Sequence, residues 1–192
     1  TFSMNYNDYN GGEFLNGASI NGKLILKDGS TLENAKIYSN TNNIANGSEA
    51  RHNTDPVVVV NGNVTLKGKV FLRGDEAPTG TDPATGKSYT GQTGMQVNGT
   101  LNLDKDAVLA VYGGGKDATT SNGGSAIILN GGTITGEGKL IAVGGDGYFG
   151  EGGNAVSGNG TISVADAYLE GGASVSKSGT PGKALGDGIK LS

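Results

Sequence analysis

Residues 58–66 read VVVNGNVTL, and the same grammar returns as MQVNGTLNL at 95–103, IILNGGTITG at 127–136 and VSGNGTISV at 156–164. An earlier version, ASINGKLIL, stands at 18–26. Each copy centres on Asn-Gly: Asn21-Gly22, Asn61-Gly62, Asn98-Gly99, Asn130-Gly131 and Asn159-Gly160. Three residues before each Asn stand Ala18, Val58, Met95, Ile127 and Val156. Three residues after it stand Leu24, Val64, Leu101 and Ile162, joined by Ile134 if Gly132 is a one-residue insertion. Leu26, Leu66, Leu103 and Val164 form a further column. Later in each unit come Ile37, Leu72, Val111, Val143 and Leu169, with Ala35, Val70, Leu109, Ile141 and Ala167 two residues before them. Within each run the apolar spacing is two, the period of a strand with one buried face. No useful window has helical spacing.

One unit has too small an apolar face to fold alone, so neighbouring units must stack to bury it. Stacking at the ~4.8 Å strand spacing sets like residues over like, with Val58 near Met95 and Leu72 near Val111. The expected fold is all-β: a parallel β-solenoid of about five coils plus the start of a sixth, with three short strands per coil. Parallel crossovers are right-handed in nearly every case, so the coil should be right-handed too. Asn-Gly suits a sharp corner because both residues tolerate positive φ, and stacked Asn side chains can bond to one another along the axis. Asn-Gly is also the signal of a two-residue hairpin. A hairpin explains each corner singly, not columns held in register across the units.

Three short strands per coil, Asn in the tight corner and long loops at another corner resemble the right-handed parallel β-helix, the architecture of the pectate-lyase-like superfamily. Many secreted bacterial surface proteins and adhesins share it. The resemblance spans residues 18–192 as architecture and repeat grammar. No catalytic motif of a named family is matched, so the resemblance carries over no functional residue.

The chain has 192 residues, 37 glycines, no cysteine, no tryptophan and a net charge of −4. Cysteine chemistry of every kind is excluded, disulfides and thiolate zinc sites among it. The acidic balance and the absence of a Lys/Arg cluster argue against a nucleic-acid partner. No apolar run approaches the ~20 residues of a membrane span, so no insertion by this chain is expected. The Asn/Thr/Ser/Gly-rich, Lys-poor texture resembles that of exported bacterial proteins, which points to the cell surface or a secreted location.

Residues 1–17 carry Phe2, Met4, Tyr6, Tyr9 and Phe14 and are expected to cap the first coil, with 18–192 forming a single β-helix domain. At the other end, Ile189 and Leu191 match Val58 and Val60, as if a new coil had begun. That points to a piece cut from a longer polypeptide with further domains, and the lack of an initiator Met before Thr1 allows a missing upstream segment.

Between the third strand of one unit and the first of the next, 12 to 22 residues intervene, while the other corners stay short apart from Lys27–Ala35. Stacking gathers these insertions on one side, where repeat proteins often bind. They hold Arg51, His52 and Asp55; Asp75, Glu76, Asp82, Lys87 and Tyr89; Lys116 and Asp117; and Asp146, Tyr148, Phe149 and Glu151. A ring beside carboxylates is the equipment of sugar recognition, since the ring stacks on an apolar sugar face and the acids accept hydrogen bonds from hydroxyls. Tyr148 between Asp146 and Glu151 is the best such cluster, with Phe149 and Tyr89 as further rings. A solvated Gly-rich loop would use the same residue types. Outward beside the third column stand Tyr38, Arg73, Tyr112 and Glu170, which could line a groove for an extended polymer. Asp75, Glu76, Asp146 and Glu151 could ligate Ca²⁺, although no EF-hand or Asp-rich nonapeptide pattern is present. His52 is the only histidine, which argues against a triad or a multi-histidine metal site. Arg73-Gly74-Asp75 spells an integrin-type tripeptide in a register where the repeat already requires a turn.

The expected function is a non-catalytic extracellular surface or adhesin-type module that binds a polysaccharide or host matrix polymer along the loop-bearing side. The alternatives are a polysaccharide lyase or glycoside hydrolase, which needs paired carboxylates, and a rigid stalk.

Overall fold

A computed structural model describes residues 2–4, 8–9, 13–14, 18–20, 24–38, 55–77, 81, 85–115, 121–176 and 179–192. Among these the protein is all-β, without a helix, and its named strands pair in parallel, 14 of them in a curled sheet and Phe2–Met4 with Ala18–Ile20 in a separate pair. Three sets of ladders recur. Leu24–Leu26, Val58–Val60, Met95–Val97 and the heads of the long strands Ile127–Val143 and Val156–Glu170 form the first. Thr31–Glu33, Asn63–Lys67, Thr100–Leu103 and the middles of the long strands form the second, which ends on Gly188–Leu191. Lys36–Tyr38, Lys69–Arg73, Val108–Tyr112 and the tails of the long strands form the third. Met95 pairs with Val58 and Leu72 with Val111, as the columns require.

Alternation along each strand turns one column inward. Leu66, Leu72, Met95, Val97, Leu101, Leu103, Leu109, Val111 and Ile127 are fully buried in one continuous core. Each buried Leu, Ile or Met contributes roughly 1.5–3 kcal/mol of hydrophobic stabilisation. At the corner between the first and second ladders the asparagines stack. Asn98 Nδ2 donates to Asn61 Oδ1 at 2.6 Å, Asn130 Nδ2 to Asn98 Oδ1 at 3.3 Å, and the Gly131 amide to Asn159 Oδ1 at 3.2 Å. An inserted glycine is present, but it is Gly131, at φ +71°, rather than the expected Gly132: Asn130 pairs with Asn159 and Gly132 with Gly160.

Three columns differ from the sequence reading. In the first unit Leu24 and Leu26 pair with Val58 and Val60, not with the Val64 and Leu66 column, and Leu32 takes the place opposite Leu66. The working corner there is Asp28-Gly29, where Asp28 Oδ1 accepts the Asn63 amide at 2.7 Å. Asn21-Gly22 lies outside the described residues, and Ala18–Ile20 pairs instead with Phe2–Met4. In the fourth unit Leu140 and Ala142 are the inward residues, opposite Leu109 and Val111, and both are buried. Ile141 and Val143, the bulkier pair, turn outward because the extra residue Gly131 moves everything after it by one position, and a corner two residues shorter than its counterpart (Gly136–Lys139 against Leu103–Val108) keeps that parity. At the end of the chain Ile189 pairs with Gly160 and Leu191 with Ile162, so this strand belongs to the second ladder; Leu185, bridged to Val156, continues the first. Residues 1–17, expected as a cap, contribute Asp8–Tyr9 to the first set of ladders and Glu13–Phe14 to the second.

The long insertions are joined at their bases by glycine backbone. The amide of Gly114 donates to Gln92 O, Gly124 to Gly114 O, Gly145 to Gly124 O, Gly153 to Gly145 O, Gly172 to Gly153 O and Gly182 to Gly172 O, each at 2.8 Å. Each leaving segment is thus sandwiched between returning ones. There is no room for side chains: a Cβ would lie 1.7 Å from Asp75 O at Gly114, 2.0 Å from Gly114 O at Gly145 and 1.9 Å from Gly153 O at Gly182. Gln92, buried at the start of this file, is satisfied on both sides. Its Nε2 donates to Asp55 O at 2.7 Å and its Oε1 accepts the Asp75 amide at 3.0 Å.

Candidate functional site

On the third ladder the inward residues Val70, Leu72, Leu109 and Val111 force their neighbours Phe71, Arg73, Ala110 and Tyr112 outward. Phe71 pairs with Ala110, and Tyr112 pairs with Arg73. The small Ala110 side chain leaves space for the diagonal partner, so the Tyr112 ring meets Phe71 with centroids 5.2 Å apart and planes tilted by 36°. Val143 follows Tyr112 in register. Beyond the strands come Gly113, Gly115, Gly144 and Gly145, which offer backbone but no bulk. The result is a cavity of about 430 Å³, lined by these glycines with Phe71, Tyr112 and Val143 and rimmed by Arg73, Glu76 and Asp146.

The rim is largely self-neutralised. Arg73 Nη2 stands 3.5 Å from Glu76 Oε1, with both side chains about half exposed at 55% and 45%. At such exposure the pair is worth little in stability, but it occupies the guanidinium. Asp146 is exposed, and its Oδ1 accepts the Ala173 amide at 2.8 Å. The outward columns run on past the cavity: Tyr168 pairs with Ile141 and Glu170 with Val143. The Tyr168 hydroxyl donates to Glu170 Oε2, and that bond, reinforced by the glutamate's charge, raises the phenol above its ordinary value.

Of the expected site residues, Tyr112, Asp146 and Glu76 meet in this cavity. Tyr148 and Phe149 form their own edge-to-face pair, 4.9 Å between centroids at 72°, with Phe149 half exposed. Glu151 lines a separate depression of about 280 Å³ with Asn154, Lys183 and Asp187. The acids flanking Tyr148 therefore serve two different surfaces rather than one cluster. Tyr89 is half-buried, and its carbonyl accepts the Asn122 amide at 2.9 Å. The Asp75 main chain is bonded to Gln92 at both its amide and its carbonyl. No three Asp, Glu, His or Cys side chains among the described residues gather as a metal would need. Arg51, His52, Asp82, Lys116 and Asp117 lie outside the described residues.

Sequence reading missed Phe71 and Val143. Phe71 was legible, since it stands two residues before the outward Arg73. Val143 was not, because its bulk suggested an inward position. Comparison with known protein families, with curated proteins and with solved structures found no match for this chain.

Proposed function

We propose that the chain is a glycan-binding module whose ligand lies along the outer face of the third ladder, over Tyr112 and Phe71. The observation that carries this reading is the cavity itself: an aromatic pair on a rigid strand face, glycine walls, and polar groups on the rim. A ring there offers a stacking surface, while Asp146 and Glu76 supply acceptors for hydroxyl groups. In the same reading the parallel ladders are successive coils of a right-handed β-helix, whose stiffness suits an extracellular bacterial surface protein, and other domains of the same polypeptide present or anchor it. Binding without catalysis is favoured because no motif of a known hydrolase or lyase accompanies the groove. The test is a glycan array probed with the native chain and with Tyr112→Ala and Phe71→Ala. Loss of a native signal in both variants supports the reading, and a native chain that binds no glycan leaves a rigid stalk.

One observation favours a second reading. Glu76 and Asp146 are two carboxylates on one cavity, the minimum equipment for glycoside hydrolysis. Release of new reducing ends from a bound polysaccharide, abolished by both Glu76→Gln and Asp146→Asn, would establish it.

A further inference from the structure

The charges around the cavity bear on which glycans it takes. Its only lining cation among the described residues is Arg73, held 3.5 Å from Glu76. Asp146 adds a second carboxylate to the lining, and Glu170 extends the outward column beyond Val143. A polyuronate or sulfated chain laid over Tyr112 would have to draw Arg73 away from Glu76 and then rest beside Asp146. Each unit of like charge at contact distance weakens binding by roughly 3- to 10-fold in a water-exposed site, and that penalty repeats along a polyanion. An uncharged sugar meets no such penalty. Its apolar face can stack on the Tyr112 ring while Glu76 and Asp146 accept hydrogen bonds from its hydroxyls.

The glycines fit the same occupant. A Cβ on Gly115 would meet nothing closer than 3.8 Å, whereas Gly113 and Gly145 already touch neighbouring backbone. Among the four lining glycines, Gly115 is thus the position where an added side chain narrows the groove without moving its frame.

We infer that the groove selects an uncharged glycan, and that Glu76 is the specificity-determining residue that excludes acidic ones by holding Arg73. The inference rests on the glycan-binding reading above. The experiment is affinity electrophoresis of the whole chain in gels containing a neutral β-glucan, a galactomannan, polygalacturonate or heparin. Retardation by a neutral polymer without retardation by either polyanion is expected. Glu76→Gln should then gain polygalacturonate binding by roughly 3- to 10-fold, as expected for removing one like charge. Added salt should abolish that gain. Gly115→Leu, which fills the groove, should lose retardation by the neutral polymer. Equal or stronger retardation of the native chain by polyanions overturns the inference and leaves glycan binding standing. Failure of Glu76→Gln to gain polyanion binding overturns the role of Glu76. Absence of retardation by every polymer overturns the glycan-binding reading itself.

Discussion

Asn98 Nδ2 reaches Asn61 Oδ1 at 2.6 Å across 37 residues of chain, and Asn98 Oδ1 in turn accepts from Gln96 Nε2 at 2.7 Å and Asn130 Nδ2 at 3.3 Å. One side chain therefore ties three successive units together at their tightest corner. Asn98→Ala removes all three bonds from an exposed position and should cost about 1–2 kcal/mol in denaturant unfolding. Asn98→Asp keeps the acceptor and loses the donor toward Asn61. Both variants should be less stable than the native chain, and urea unfolding of the three proteins measures the losses.

The glycine file makes a sharper distinction. Gly145→Ala places a Cβ 2.0 Å from Gly114 O, which has nowhere to go because it is backbone bonded on both sides. The variant should lose at least about 3 kcal/mol or fail to fold. Gly115→Ala, with 3.8 Å of clearance, should change stability by less than about 0.5 kcal/mol. Thermal unfolding of the two variants side by side measures the difference.

The register of the third ladder is testable by truncation. Leu140 is fully buried and Ile141 is outward. Leu140→Ala should cost about 2–5 kcal/mol, and Ile141→Ala less than about 1 kcal/mol. The opposite order would restore the inward assignment of Ile141 and Val143.

Tyr168 ionises above the ordinary tyrosine value because its hydroxyl donates to Glu170 and a phenolate would face that carboxylate. Folding favours the protonated phenol, so whatever stability the pair adds is complete below about pH 10 and lost as pH rises through the folded value. An ultraviolet difference titration between the native chain and Tyr168→Phe locates the group. A step at or below pH 10 would contradict the hydrogen bond.

Much of the fold was legible because inward columns repeat as Leu, Val, Ile and Met at a period of two, and because Asn recurs at the corner. Legibility failed where other chemistry filled the same role. Asp28 serves as the first corner in place of Asn, which shifted Leu24 and Leu26 by one ladder. Ala142 satisfies an inward position that bulk assigned to Val143. Leu185 and Ile189 traded ladders because a strand of four residues carries too little pattern to fix its register. The glycine doublets Gly113-Gly114, Gly123-Gly124, Gly144-Gly145 and Gly152-Gly153 bracket the long insertions in plain view. Their meaning lies in backbone contacts between segments far apart in sequence, which periodicity along one strand does not express. The site was half legible for the same reason: Tyr112 was named from its outward place beside the third column and Asp146 and Glu76 from residue type in the loops, but only the fold brings them to one cavity with Phe71.

Glycan binding over Tyr112 rather than at the loop bearing Tyr148 is measured most directly by amide chemical-shift mapping of the native chain titrated with a neutral oligosaccharide. Shifts concentrated in residues 71–76, 112–115 and 143–146 are predicted. Shifts confined to 147–154 and 180–187, or none at saturating sugar, would contradict it.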